Sequence, residues 1–146
     1  MHTLEIPELP RSINDWRRGS GHFGGVYTQE RDRWRNLFAL YGHRAARLSG
    51  PVRVCVTFYW AQAKRRDPDN HVKFVLDGAV RLGLIPEDGP PLLAELTLRG
   101  RLDRERPRTV FEYEPADAPA WPLATPRPQK RSKLHPSRSE PVQGHP

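Results

Sequence analysis

The run from Val52 to Trp60 constrains this chain more than any other segment. Val52, Val54, Val56, Phe58 and Trp60 alternate with Arg53, Cys55, Thr57 and Tyr59. A period of two suits a strand with one buried face. That face must be covered by another layer, and the flanking segments supply one. After a basic loop, Ala61 to Arg66, the residues Val72, Val75, Leu76, Ala79 and Val80 recur at helical spacing. They predict a helix from about Asp69 to Leu82, stopped by Gly83. Upstream, Thr28 can cap a second helix running to about Leu48, with Trp34, Leu37, Phe38, Tyr41, Ala45 and Leu48 as its packing stripe. Arg31, Arg35 and His43 fall on the opposite, solvated face. A short strand fits His2 to Ile6, ended by Pro7 and Pro10. Two late strands fit Leu92 to Arg99 and Arg108 to Glu114, joined by a charged hairpin loop from Gly100 to Pro107. The order β-α-β-α-β-β predicts an α+β domain: a four-stranded mixed sheet with two helices.

The pattern ends near residue 114. Residues 115–146 carry half of the sixteen prolines, with Ser, Lys, Arg and His between them, a composition that cannot bury a core and predicts a disordered tail. Residues 1–114 are therefore one domain, a size ordinary for a single core. The formal net charge is +7, carried mostly by arginine, which forks onto phosphate oxygens. This balance points to a polyanion, nucleic acid before an anionic membrane. In the tail, Lys130, Arg131 and Lys133 can add loose attraction to DNA or simply keep the chain soluble. The one cysteine, Cys55, excludes an internal disulfide and reads as a small, buried or half-buried residue. Met1 to Pro10 lacks the pattern of a signal peptide, and no apolar run approaches the ~20 residues of a membrane span. The expected location is cytoplasmic.

Two regions carry candidate chemistry. Arg11 to Tyr27 reads as a loop. It sets Arg11, Arg17, Arg18 and His22 among glycines, with Trp16 and Phe23 interleaved. This can follow a phosphate backbone and offer rings to bases, or it is a surface loop whose aromatics tuck onto the core. The second region is Lys64-Arg65-Arg66-Asp67-Pro68-Asp69-Asn70-His71-Val72-Lys73, followed by Ile85-Pro86-Glu87-Asp88. Asp67 and Asp69 are two apart in extended chain, so they point the same way, and Pro68 holds Asp67 extended. Paired carboxylates repel unless a cation lies between them, and hard oxygen donors suit magnesium or manganese. A strand after Asp88 returning to the sheet would let a third carboxylate join them. Asp69, Asn70, Lys73 and Asp77 share one side of the helix. Lys73 can neutralise the acids or contact a scissile phosphate. The competing explanation is that the acids only cap the helix. A calcium loop fits poorly, with Val72 where its glycine belongs and Gly78 where its last glutamate belongs.

These residues resemble a known family. Arg65-Arg66-Asp67-Pro68-Asp69-Asn70, Lys73, Asp77 and Leu84-Ile85-Pro86-Glu87-Asp88 resemble the RusA-type Holliday junction resolvases, and Pro10-Arg11-Ser12-Ile13-Asn14 resembles that family's opening loop. The similarity spans most of residues 3 to 114. It implies a dimeric, magnesium-dependent endodeoxyribonuclease acting on four-way junctions, with manganese a possible substitute. Asp67, Asp69 and Asp88 would be the metal-binding catalytic acids, and Lys73 would be the essential basic residue. Where this chain has Glu87-Asp88, family members often have two aspartates. The matching position is the second, and Glu87 stays open as an extra ligand. Arg11, Asn14, Arg17, Arg18, Lys64, Arg65, Arg66 and Asn70 are the expected DNA contacts. Two symmetric cuts need two active sites, hence a homodimer.

Two other readings fit parts of the sequence. In one, the chain is a non-catalytic DNA- or RNA-binding protein. In the other, the D-x-D string binds a nucleotide-sugar through manganese for glycosyl transfer, although the folded region is short for donor and acceptor sites together.

Overall fold

The computed structural model describes residues 1–16 and 23–117. The elements are β1 (His2–Ile6), a 3₁₀ turn (Ile13–Trp16), α1 (Phe23–Gly42), β2 (Val52–Trp60), α2 (Asp69–Leu82), β3 (Leu93–Leu102) and β4 (Arg108–Pro115). Together they make the α+β domain that the pattern predicts. The sheet order is β1-β4-β2-β3. β4 lies antiparallel to both β1 and β2, and β3 runs parallel to β2. A parallel neighbour needs a crossover, and α2 is that crossover.

Alternation along β2 becomes burial. Val52, Val54, Val56 and Phe58 are fully buried, and Trp60 nearly so. Leu4 and Ile6 from β1, with Phe111 and Tyr113 from β4, extend the same face. The helices cover it with Trp34, Phe38, Phe74, Val75 and Ala79. Each large side chain buried there contributes about 1.5–3 kcal/mol. The opposite face is charged. Arg53 bonds Glu95 on one side, at 2.7 Å, and Glu114 on the other, at 3.1 Å. Cys55 is half-buried and unpaired.

The two helices touch at Gly78. A Cβ there would lie 2.5 Å from a Phe38 ring carbon and 3.1 Å from the Trp34 carbonyl. Arg35 crosses the same junction. Its Nε donates to Asp77 Oδ2 at 2.8 Å and its Nη2 to Oδ1 at 3.3 Å. Arg35 is thus an interhelical partner, not the solvated side chain that its position on the helix suggests.

α2 starts and stops where expected, with Gly83 left-handed (φ 82°, ψ 20°) as its C-cap. α1 does not. It begins at Phe23, takes Gly24 and Gly25 into its first turn, and ends at Gly42 instead of Leu48. Gly42 ends it against the core, where a Cβ would stand 2.9 Å from Leu82 Cδ2 and 3.3 Å from Leu4 Cδ2. With Gly42 facing inward, Tyr41 turns outward and is 42% exposed. Ala45 and Leu48 still pack on the core, but from the connecting segment, where the Leu48 amide donates to the Leu84 carbonyl at 3.0 Å. β3 continues to Leu102, and residues 103–107 are not the expected hairpin loop: β3 and β4 do not pair, because β2 lies between them and bonds to both, so this segment passes across the end of β2. Residues 118–146, with Lys130, Arg131 and Lys133, lie outside the described residues, as do Arg17, Arg18 and His22.

Candidate metal and nucleic-acid site

β2 ends at Trp60, and the chain crosses to the helix layer through residues 61–68. Pro68 is the N-cap of α2, in helical geometry (φ −58°, ψ −30°), and no side chain caps the helix. The first turn is closed by backbone alone. The Asp67 carbonyl accepts from the Asn70 amide at 3.1 Å, and the Pro68 carbonyl from the His71 amide at 3.0 Å. Neither Asp67 nor Asp69 is therefore spent on capping, and both residues are exposed. The helix N-terminus beside them favours negative charge.

His71 fixes the loop from below. It is buried at 5% exposure, with its ring edge-on to Trp60 at 5.5 Å and tilted against Phe58 at 6.1 Å. Its Nδ1 lies 3.0 Å from the Asp67 carbonyl oxygen. A carbonyl can only accept, so the proton is on Nδ1 and a neutral ring keeps Nε2 as an acceptor. Nothing in composition marks His71. The available signal is its spacing, one helical turn after Asp67.

A cavity of about 480 Å³ opens here. Asp67 lines it with Arg11, Asn14, Lys64, Arg65, Arg66 and Asn70, the expected DNA contacts that fall within the described residues. Ser12, Asp15 and His71 line it too and were not expected. A guanidinium-rich cavity of this kind suits phosphate oxygens. Arg66 also stands over the Trp60 ring, 5.6 Å from its centroid, which keeps its charge at the rim.

The opening segment reaches this cavity because Glu30 holds it. Glu30, on α1, is buried at 5% exposure. Its carboxylate accepts from the Arg11 amide at 3.1 Å, Trp34 Nε1 at 3.0 Å, Arg33 Nη2 at 2.7 Å and Arg33 Nε at 3.1 Å. Arg33 also donates to the Leu9 carbonyl and to Glu8. From the sheet, Thr109 donates to the Glu8 carbonyl at 2.7 Å.

The remaining expected residues lie elsewhere. Lys73 is exposed on α2, one turn beyond Asp69. Asp77, next along that side, is held by Arg35. Asp88 is exposed but stands at the wrong end of the sheet for a site within one chain. β3 does return beside β2, in parallel, with Leu93 opposite Val52 and Leu102 opposite Trp60. The start of β3, and Asp88 just before it, therefore sit at the start of β2, while Asp67 and Asp69 follow its end. The intervening helix of fourteen residues spans roughly 20 Å. Among the described residues, no three His, Cys, Asp or Glu side chains converge closely enough to hold a metal ion. The expectation that a returning strand would deliver Asp88 to Asp67 and Asp69 is corrected on this point: strand direction decides which end is delivered.

Fold and cavity together define a compact α+β domain with a cationic, acid-bearing cleft at the C-terminal end of a parallel strand pair. No protein-family model matches the chain, and no curated protein matches it. No helix among the described residues is long and apolar enough to cross a membrane.

Proposed function

We propose that this chain is a magnesium-dependent endodeoxyribonuclease of the RusA type, cutting four-way DNA junctions as a homodimer. One observation carries the reading. An exposed carboxylate that caps no helix, Asp67, shares a cavity with Arg11, Lys64, Arg65 and Arg66. Cations alone would serve binding, and an unpaired acid among them works against phosphate binding unless a metal bridges the two.

The donors fit a hard divalent cation. Asp67 and Asp69 offer exposed carboxylate oxygens, the ligand type that magnesium takes. Asp88 would join them from a second chain, since its own chain holds it at the far end of the sheet. When bound, magnesium supplies Lewis acidity to phosphodiester hydrolysis. The chain's own residues do the rest. Arg11, Lys64, Arg65 and Arg66 hold phosphates on either side of the scissile one. Asn14 and Asn70 can orient sugar or phosphate oxygens. Lys73, exposed and one turn from Asp69, can offer its ammonium to charge developing on the leaving oxygen. His71 positions Asp67 by fixing its carbonyl.

Incubation of the full-length protein with a synthetic four-way junction, with and without magnesium, tests this. Paired nicks leaving 5′-phosphate ends are expected only with the metal. The Asp69→Asn variant should bind the junction as the wild type does and lose cleavage by at least ~10²-fold. Equal loss of binding and cleavage would make Asp69 a structural residue.

A non-catalytic nucleic-acid-binding role has one observation in its favour, the absence of a three-acid cluster within the described part of a single chain. Tight binding by a dimer, with no cutting in magnesium or manganese, would establish that role instead.

A further inference from the structure

Arg11 lines a second cavity as well as the first. This one, of about 450 Å³, is walled by Leu9 and Arg11 on the opening segment and by Val26, Gln29, Glu30 and Arg33 on α1. The four α1 residues recur at helical spacing, so a single face of that helix makes one wall. The volume is that of a small-ligand site.

The Glu30 latch sets the width of this trough. Glu30 accepts from the Arg11 amide at 3.1 Å, and Arg33 donates to the Leu9 carbonyl at 3.0 Å. Both ends of the opposing wall are thus bonded to α1, and little ordering is left for a ligand to bring about. The latch also neutralises itself, because Glu30 and Glu8 both pair with Arg33. Arg11 remains as the surplus cation. Among the described residues its guanidinium has no hydrogen-bond or ion-pair partner, and neither has the Gln29 amide.

Each wall also carries an apolar side chain. Val26 is 38% exposed, and Leu9 is only partly buried. An otherwise balanced trough with one free cation, apolar walls and an unpartnered carboxamide is poorly suited to a second phosphate. It suits an uncharged flat ring with hydrogen-bonding edges, joined to a phosphate that Arg11 can hold.

We infer that the trough takes the base of an unpaired nucleotide, in the DNA strand whose phosphates occupy the first cavity. Arg11 holds the phosphate where the two cavities meet, Leu9 and Val26 pack on the ring, and Gln29 reads its edge. A paired base is stacked and cannot enter, so the nucleotide is one freed from the duplex, as at a branch point. Phosphate contacts carry no sequence information, whereas a carboxamide distinguishes bases by matching its donor and acceptor to theirs. Gln29 is therefore a specificity-determining residue. The inference rests on the nuclease reading only in making the adjoining phosphate one that is cut.

The test measures binding apart from cleavage. The full-length protein is titrated, without divalent metal, into short labelled single strands of oligo(dA), oligo(dC) or oligo(dT), and into an abasic strand of the same length. The wild type should bind the abasic strand at least ~10-fold more weakly than oligo(dT). Gln29→Ala should lose affinity unequally, by ~10-fold for the base that it reads best and little for the base that it reads least. Val26→Arg fills the trough and adds a cation. It should strengthen binding to the abasic strand while flattening the preference among bases. Wild-type binding that ignores the bases overturns the inference. So do equal effects of Gln29→Ala on all three strands, or a Val26→Arg variant that keeps the wild-type preference. Base-dependent binding by a protein that cuts no junction leaves the trough standing and overturns the nuclease reading. Metal-dependent cutting without base dependence does the reverse.

Discussion

Burial alone would push the Glu30 carboxyl up, but hydrogen bonds from Arg33, the Arg11 amide and Trp34 outweigh it and hold the pKa below its ordinary 4.5. A folded-state pKa below the unfolded one means that the unfolded chain takes up more protons, so stability rises with pH. The contribution is fully present above the ordinary carboxyl value and is lost as pH falls through the lowered one. Glu30→Gln should therefore cost about 2–3 kcal/mol at neutral pH. In urea unfolding its deficit against the wild type should shrink steadily below pH 4.5. A deficit independent of pH would mean that shape and not charge holds the opening segment. Glu30 shows what single-residue reading misses. Its sequence neighbours mark it as one more polar position on a helix, and only its tertiary partners make it the anchor of Arg11. The spacing of Asp67 and Asp69 was legible, but their geometry was not: Pro68 between them is helical and not extended, and of the two only Asp67 lines the cavity. His71 was visible only as a helical turn away from Asp67, and its burial against Trp60 depends on the loop between them.

Elements follow the same division. β1, β2 and α2 could be read to the residue, since alternation, amphipathic spacing and the Gly83 stop are local signals. The start of α1 was hidden by Gly24 and Gly25, which ordinarily disfavour helix but here lie inside its first turn. Its end was hidden because the helix stops at Gly42, where the backbone stands close against Leu82 and Leu4, residues distant along the chain. The packing of α1 on α2 depends on one missing side chain. Alanine at position 78 would gain about 1 kcal/mol of helix propensity, yet its methyl would meet the Phe38 ring and the Trp34 carbonyl. The ring can rotate, but the carbonyl belongs to the α1 backbone. Gly78→Ala should be net destabilising by about 1–3 kcal/mol, seen as a lower midpoint in thermal or urea melts. A variant as stable as the wild type would show that the helices separate freely.

At the scale of the whole molecule, the net charge of +7 makes a polyanion the expected partner, and the cavity sets Arg11, Lys64, Arg65 and Arg66 beside Asp67. Each phosphate contact contributes about 0.9 to the slope of log binding constant against log salt. Arg65→Ala should lower that slope by ~1 and weaken binding evenly across junction sequences, measured by titration at several salt concentrations. An unchanged slope would remove Arg65 from the contact surface. Strand order was beyond reading, because hydrophobic alternation does not say which strands pair or in which direction. That gap is why Asp88 was misplaced. On the proposed nuclease reading, with Asp88 supplied by a second copy, the parallel pairing of β2 with β3 lets two crippled proteins complement each other. Asp69→Asn and Asp88→Asn would each be dead when pure. Exchanged at equal amounts, about half of the pairs would be mixed, and every mixed pair would keep one wholly wild-type centre beside one doubly damaged one. Such a blend should nick junctions on a single strand and rarely cut both. Silence from the blend, with exchange verified, would mean that each polypeptide assembles its centre alone.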